Sequence, residues 1–181
     1  QVLGLRDVLQ VMGAEIAQRD TVGQLGQLTG DRRHHDLPAV GGRPDALGTS
    51  RTLVVDPREH PLIGTMQYRE TLPLKDHEVV LTFDDGPIPK YTNQVLKMLD
   101  DECIKATFFI VGEQAKANPE GVRKLVAAGH TVGTHSESHP LGFERMPLDR
   151  ARQEIDQGIA ETAAAAETSA NVAPFFRFPG L

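Results

Sequence analysis

The sequence predicts an α/β fold of parallel strand–helix units, either closed into a barrel or spread as a doubly wound sheet. Three observations carry this expectation. The run Val79-Val80-Leu81-Thr82-Phe83 is apolar and rich in β-branched residues, as a strand buried on both faces must be. The residues that follow it, Asp84-Asp85-Gly86-Pro87, are turn formers that stop the strand and leave two carboxyl groups at its C-terminal mouth. From Glu78 onward, strand-like and helix-like segments alternate to near the last residue.

Before that point the texture is different. Residues 2 to 18 fit an amphipathic helix, with Val2, Leu5, Leu9, Met12 and Ile16 at helical spacing. Gly23 to Gly48 is rich in Gly, Asp and Pro and reads as loop. Within it, Arg32-Arg33-His34-His35-Asp36 invites a metal assignment. Adjacent imidazoles rarely face one ion, so a solvated charge run is the better reading. Arg51 to Val55 is expected as a short strand, followed by Pro-punctuated loop to Pro73.

After strand 79–83, a helix is expected near 92–102 with Val95, Met98 and Leu99 on one face. Strand 106–111 comes next, then a helix over 113–128 that turns Val122, Leu125 and Val126 inward and ends at Gly129. Strand three is 130–134. A further helix starts near Pro147, whose fixed φ suits a first turn, and runs through Ile155 and Ile159 into the alanines of 163–166. A fourth strand is expected over 173–178. The expected organisation is a helix-and-loop extension over 1–50 and an α/β domain over 51–181.

Composition excludes several classes. The 181 residues suffice for one domain with a sizeable core. The formal net charge is −6, with Lys and Arg scattered, so the basic stripe that a nucleic-acid partner needs is missing. No apolar run approaches the length that spans a bilayer. The N-terminus is interrupted by charge at Arg6 and Asp7, too early for a signal-peptide core. The chain starts at Gln1, however, which leaves open a leader already removed. Cys103, the single cysteine, is expected as a packed free thiol between a helix and a strand.

The chemistry gathers at strand ends. Thr134-His135-Ser136-Glu137-Ser138-His139-Pro140 leaves strand three with two His four apart, on one face of any helical turn. Imidazole with carboxylate suits a borderline divalent ion, zinc first, and three protein ligands leave a position for water. In a parallel sheet the C-terminal strand ends lie side by side, which supports Asp85 as a third ligand. His130 starts strand three, about 16 Å from His135 in an extended chain, and so points to the wrong end. Arg177-Phe178-Pro179-Gly180 leaves strand four at the same end as the aspartates, where Arg177 can clamp Asp84.

Thr82-Phe83-Asp84-Asp85-Gly86-Pro87, His135-Ser136-x-x-His139-Pro140 and Arg177-x-Pro179 together resemble the NodB-type polysaccharide deacetylases, the family-four carbohydrate esterases, in order and rough spacing. The resemblance covers about 79 to 181. It implies a distorted (β/α) barrel and a metal-dependent hydrolase that removes N-acetyl, or sometimes O-acetyl, groups from a glycan such as chitin oligomers or peptidoglycan. It further implies that Asp84 is the general base and that Asp85, His135 and His139 hold the metal. A backbone N–H near Gly180 would serve the oxyanion. The resemblance implies the cell envelope or the outside of the cell as the compartment, with the cytoplasm left open.

Two departures stand out. Gly180 occupies a position where the family usually has an aromatic residue, so an aromatic contact to the sugar is expected to be lost. The family's later motifs, which supply the general-acid His, would lie beyond Leu181. The chain therefore reads as the first half or so of the barrel, and assayed alone it is expected to be a poor deacetylase. The rival readings are a catalytically impaired relative, a metal-dependent phosphoesterase and a carbohydrate-binding module. A phosphoesterase would want basic residues near these motifs. A binding module would want exposed aromatics, and the chain has no Trp and two Tyr.

Overall fold

The computed structural model describes residues 16–18, 46–64 and 72–180. At its centre lie three parallel strands, β2 (Val79–Gly86), β3 (Thr107–Ile110) and β4 (Thr131–Thr134). A short strand β1 (Ile16–Gln18) pairs antiparallel with β2, so the sheet order is β1-β2-β3-β4. The segment 2–18 was expected as helix. Its last three residues are instead sheet, because the unpaired edge of β2 offers backbone partners from Val79 to Leu81. The rest of that expectation, and the charge run 32–36, lie outside the described residues.

The strands are joined by right-sized helical crossovers. Helix α1 (Pro89–Asp101) begins with Pro at its first turn and buries Thr92, Val95 and Leu99. Thr92 Oγ1 accepts from the Ile88 amide at 2.9 Å, satisfying an N-terminal donor. Cys103, at φ +55°, takes the left-handed position that closes the helix and is half-buried.

The single helix expected over 113–128 is two, α2 (Gly112–Ala117) and α3 (Pro119–Ala127). Pro119 lacks an N–H and drives the residue before it out of the helical region, and Asn118 sits at φ −139°. The Asn118 side chain then caps α3, accepting from Gly121 N at 3.2 Å, and donates to the Pro87 carbonyl at 3.3 Å. Gly129 ends this unit at φ +75°, as its glycine suggested.

The last helix, α4 (Leu148–Ala165), buries Glu154, Gly158, Thr162 and Ala165. Its inward stripe is therefore small and polar, and Ile159 is 43% exposed. Two expected strands are absent as ladders. Residues 51–55 are held by side chains instead: Arg51 makes a two-pronged pair with Glu78 at 2.7 and 2.6 Å and donates to the Pro73 carbonyl. The segment 173–178 makes one parallel bridge, Thr134 with Phe176, and the Phe175 amide that would extend it donates instead to the Ala173 carbonyl at 2.7 Å.

The core lies between the sheet and its helices, with Phe83 stacked on Phe108 at 4.9 Å and Val95, Leu99, Ile110 and Leu125 fully buried around them. Val79, at the mouth of β2 away from the site, is half exposed, so burial on both faces holds only from Val80 inward. No helix among the described residues is long and apolar enough to cross a membrane.

Candidate metal centre

The site forms where β2 and β4 release their chains at the same end of the sheet. The register of β2 against β3 shifts between Phe83 and Gly86, a bulge that spans the two aspartates. Such an irregularity re-aims side chains that would otherwise alternate between faces. Asp85 takes φ +63°, and in the loop after β4 Ser136 and His139 take +64° and +51°. Left-handed non-glycine residues cost energy that surrounding structure must supply, and they gather at functional sites.

These backbones bring Asp85, His135 and His139 together. One ligand atom from each lies within 4.8 Å of the others. Asp85 Oδ1 stands 3.5 Å from His135 Nε2 and 3.3 Å from His139 Nε2. Those separations are long for hydrogen bonds. They match the roughly 3.4 Å between donors that share a tetrahedral ion at about 2.1 Å.

Protonation points the same way. His135 Nδ1 lies 2.8 Å from the Arg177 carbonyl, which only accepts, so Nδ1 carries the proton. Burial, ahead of every other influence, holds the His135 imidazole below its ordinary pKa. Its Nε2 therefore presents a lone pair toward the Asp85 oxygen. Two acceptors facing each other call for a cation between them, and the carbonyl behind the ring is the outer partner that fixes a ligating imidazole. The donor set, two imidazoles and one carboxylate, suits zinc.

Asp84 sits beside this trio in a different environment. Its side chain is 14% exposed against 51% for Asp85. Burial pushes the Asp84 carboxyl above the usual range, while Arg177 and His135 pull the other way. Arg177 Nη1 donates to Asp84 Oδ1 at 3.0 Å and Oδ2 at 3.2 Å, and to Thr82 Oγ1 at 2.9 Å. The guanidinium lies 4.3 Å over the Phe109 ring. Phe109 and Thr82 thus aim the arginine. Thr82 lies in the motif read from the sequence, whereas Phe109 does not stand out there, because a buried strand is expected to hold such a residue anyway.

His130 stays apart, as its place at the start of β4 implied. Its Nδ1 accepts from Ala106 N at 3.2 Å, and burial drives its pKa down to about 4. Gly180 takes φ +81°. It lines a cavity of about 450 Å³ with Phe143, Met146, Leu148 and Phe178. Phe178 packs edge-on against Phe143 and Phe176 and is 41% exposed. An aromatic surface is therefore present here despite the glycine at 180.

Side chains outside the trio hold the histidine loop in place. Glu154 of α4 accepts from Ser138 N at 3.0 Å, from Ser138 Oγ at 3.0 and 3.1 Å, and from Arg150 at 3.0 Å. Ser136 Oγ accepts from His139 N at 3.1 Å.

The sequence profile of the polysaccharide deacetylases matches residues 71–181. The chitooligosaccharide deacetylase of Sinorhizobium fredii is 42% identical over 91 residues, covering 50% of this chain and 42% of that protein. A peptidoglycan-N-acetylglucosamine deacetylase of Bacillus cereus is 40% identical over 83 residues, covering 46% of this chain and 30% of that one. The chain thus spans less than half the length of these relatives. In three dimensions the D285S mutant of the Bacillus subtilis peptidoglycan deacetylase PdaC superposes with a TM-score of 0.50 at 33% identity, over 55% of this chain and 47% of the other. Its α/β architecture with a parallel sheet is that of these NodB-type enzymes, and the chain belongs to the polysaccharide deacetylase family, the family-four carbohydrate esterases.

Proposed function

We propose that the protein is a metal-dependent deacetylase of acetylated glycans, with Asp85, His135 and His139 as metal ligands, Asp84 as general base and Arg177 as the residue that positions that base. The observation that carries this reading is the pairing of two unlike aspartates: one shares its oxygen with two imidazoles, the other is buried beside them against an arginine. A bound divalent ion, zinc first, would supply Lewis acidity toward the acetyl carbonyl and a water of lowered pKa.

The chain's own groups do the rest. Asp84 accepts a proton from the attacking water as its oxygen bonds to the acetyl carbon, an effect of about 10²- to 10⁴-fold. Arg177 keeps that carboxylate ionised and aimed. The Gly180 N–H is the proposed donor to the carbonyl oxygen as negative charge develops on it. Collapse re-forms the carbonyl and breaks the C–N bond, the sugar nitrogen takes the proton that Asp84 had accepted and leaves as the amine, and the acetic acid released ionises to acetate. Phe178 and the cavity beside it offer an apolar face for a pyranose ring. The chitin-oligomer and peptidoglycan substrates named for the relatives are the first to try. Residues 51–181 form the proposed deacetylase domain, with 1–50 as an extension.

The test is zinc-dependent acetate release from N-acetylglucosamine oligomers and from peptidoglycan, expected to be slow for the 181-residue chain. Chelation and Asp84→Asn should each abolish it. Phosphate release from an aryl phosphate in place of acetate release would overturn the reading.

A further inference from the structure

Helix α4 buries a charged residue type in the stripe where apolar side chains belong. Glu154 is 1% exposed, and its three partners all donate to it. A buried acidic side chain needs such donors, and a position this costly to fill invites a reason. Its chief partner, Ser138, precedes the proposed ligand His139.

The loop around it needs holding. Ser136 and His139 are both left-handed, a conformation that L residues leave when released. On the His135 side the loop is tied by backbone bonds: His135 N to Ile110 O at 2.8 Å, Gly112 N to Ser136 O at 3.0 Å and Glu113 N to Glu137 O at 2.9 Å. On the His139 side the tie from outside is Glu154, which grips both the amide and the hydroxyl of Ser138. One turn further along α4, Gly158 lets the loop lie directly on the helix. A Cβ there would fall 2.5 Å from the Ser136 carbonyl carbon and 2.9 Å from Glu137 N.

We propose that Glu154 is a positioning residue for the metal centre, holding Ser138 so that His139 Nε2 stays beside Asp85 and His135, with Gly158 as the floor on which the loop rests. The proposal rests on the deacetylase reading only in needing a metal at this trio. Glu154 touches neither the metal nor the glycan.

The experiment is the zinc dissociation constant, by competition with a chromophoric chelator, for the 181-residue chain and for Glu154→Leu, Glu154→Gln and Ser138→Ala. Melting in EDTA reports the fold without metal. Loss of an outer-shell partner typically weakens metal binding by about 10- to 100-fold, and E154L should fall in that range. E154Q, whose amide still offers Ser138 an acceptor, should bind zinc more tightly than E154L, and S138A, which keeps the backbone amide bond but loses the hydroxyl, should lose about tenfold, the low end of that range. Unchanged zinc affinity in E154L, with a lowered metal-free Tm, would show a structural role alone and overturn the proposal. If E154L does not fold, S138A decides: wild-type affinity there overturns it. A wild-type chain that binds no zinc would sink the deacetylase reading and this inference together, whereas equal binding by wild type and variants sinks this inference alone.

Discussion

Truncating Arg177 to alanine should be one of the most damaging single changes near the site, even with no metal present. The guanidinium is 17% exposed and its partner Asp84 14%, so this is a mostly buried ion pair. Removing one member of such a pair leaves the other charge uncompensated, at a cost of about 3–5 kcal/mol. Residual exposure of both groups argues for the lower end, about 3 kcal/mol, and the lost stack on Phe109 adds to it. For a chain of this size that corresponds to a fall in Tm of roughly 6–12 °C. The assay is urea unfolding in EDTA at pH 7, run as a double-mutant cycle with Asp84→Asn. Because the cost lies in a stranded carboxylate, D84N should recover much of the loss, giving a coupling of about 2 kcal/mol or more. An R177A loss under about 1 kcal/mol, or strictly additive losses in the cycle, would show that no buried charge is stranded at Asp84.

Two further changes probe the scaffold. His130 is neutral in the fold with a pKa near 4 against 6.5 when unfolded, so its contribution is complete above about pH 6.5 and is lost as pH falls toward 4. Between pH 7 and pH 5 that loss is about 2 kcal/mol, and His130→Asn, which keeps an acceptor for Ala106 N, should flatten the slope of stability against pH in chemical denaturation. An identical slope in the variant would contradict this. Asn118→Ala removes the cap of α3 and the bond to Pro87 and should cost about 1 kcal/mol in urea unfolding, with no change at all counting against the capping role.

What the sequence made legible divides along physical lines. Asp85, His135 and His139 were readable because ligand types sit at strand ends, and parallel strands bring those ends together whatever the loops do. Arg177 was readable as the partner of Asp84 for the same reason. Local signals also placed the end of α3 at Gly129. Elements that depend on distant partners were not readable. Ile16 pairs with Leu81, a contact that no local period encodes, so its helical spacing misled. The break at Asn118-Pro119 was present in the letters but outweighed by the apolar spacing on either side. On α4 the isoleucines drew the eye, while the buried stripe runs through Glu154 and Gly158, because what that face packs against is a backbone loop and not a hydrocarbon layer. The expected fourth strand is a single bridge because the Phe175 amide turns back to the Ala173 carbonyl, a local bend that the aromatic run did not announce.

The proposed activity depends on whether Asp85, His135 and His139 together hold an ion. Equilibrium dialysis against zinc followed by elemental analysis should give one zinc per chain, with Asp85→Ala, His135→Ala and His139→Ala each losing it while D84N retains it. A folded wild-type chain with no stoichiometric zinc, or retention of the ion by all three ligand variants, would contradict it.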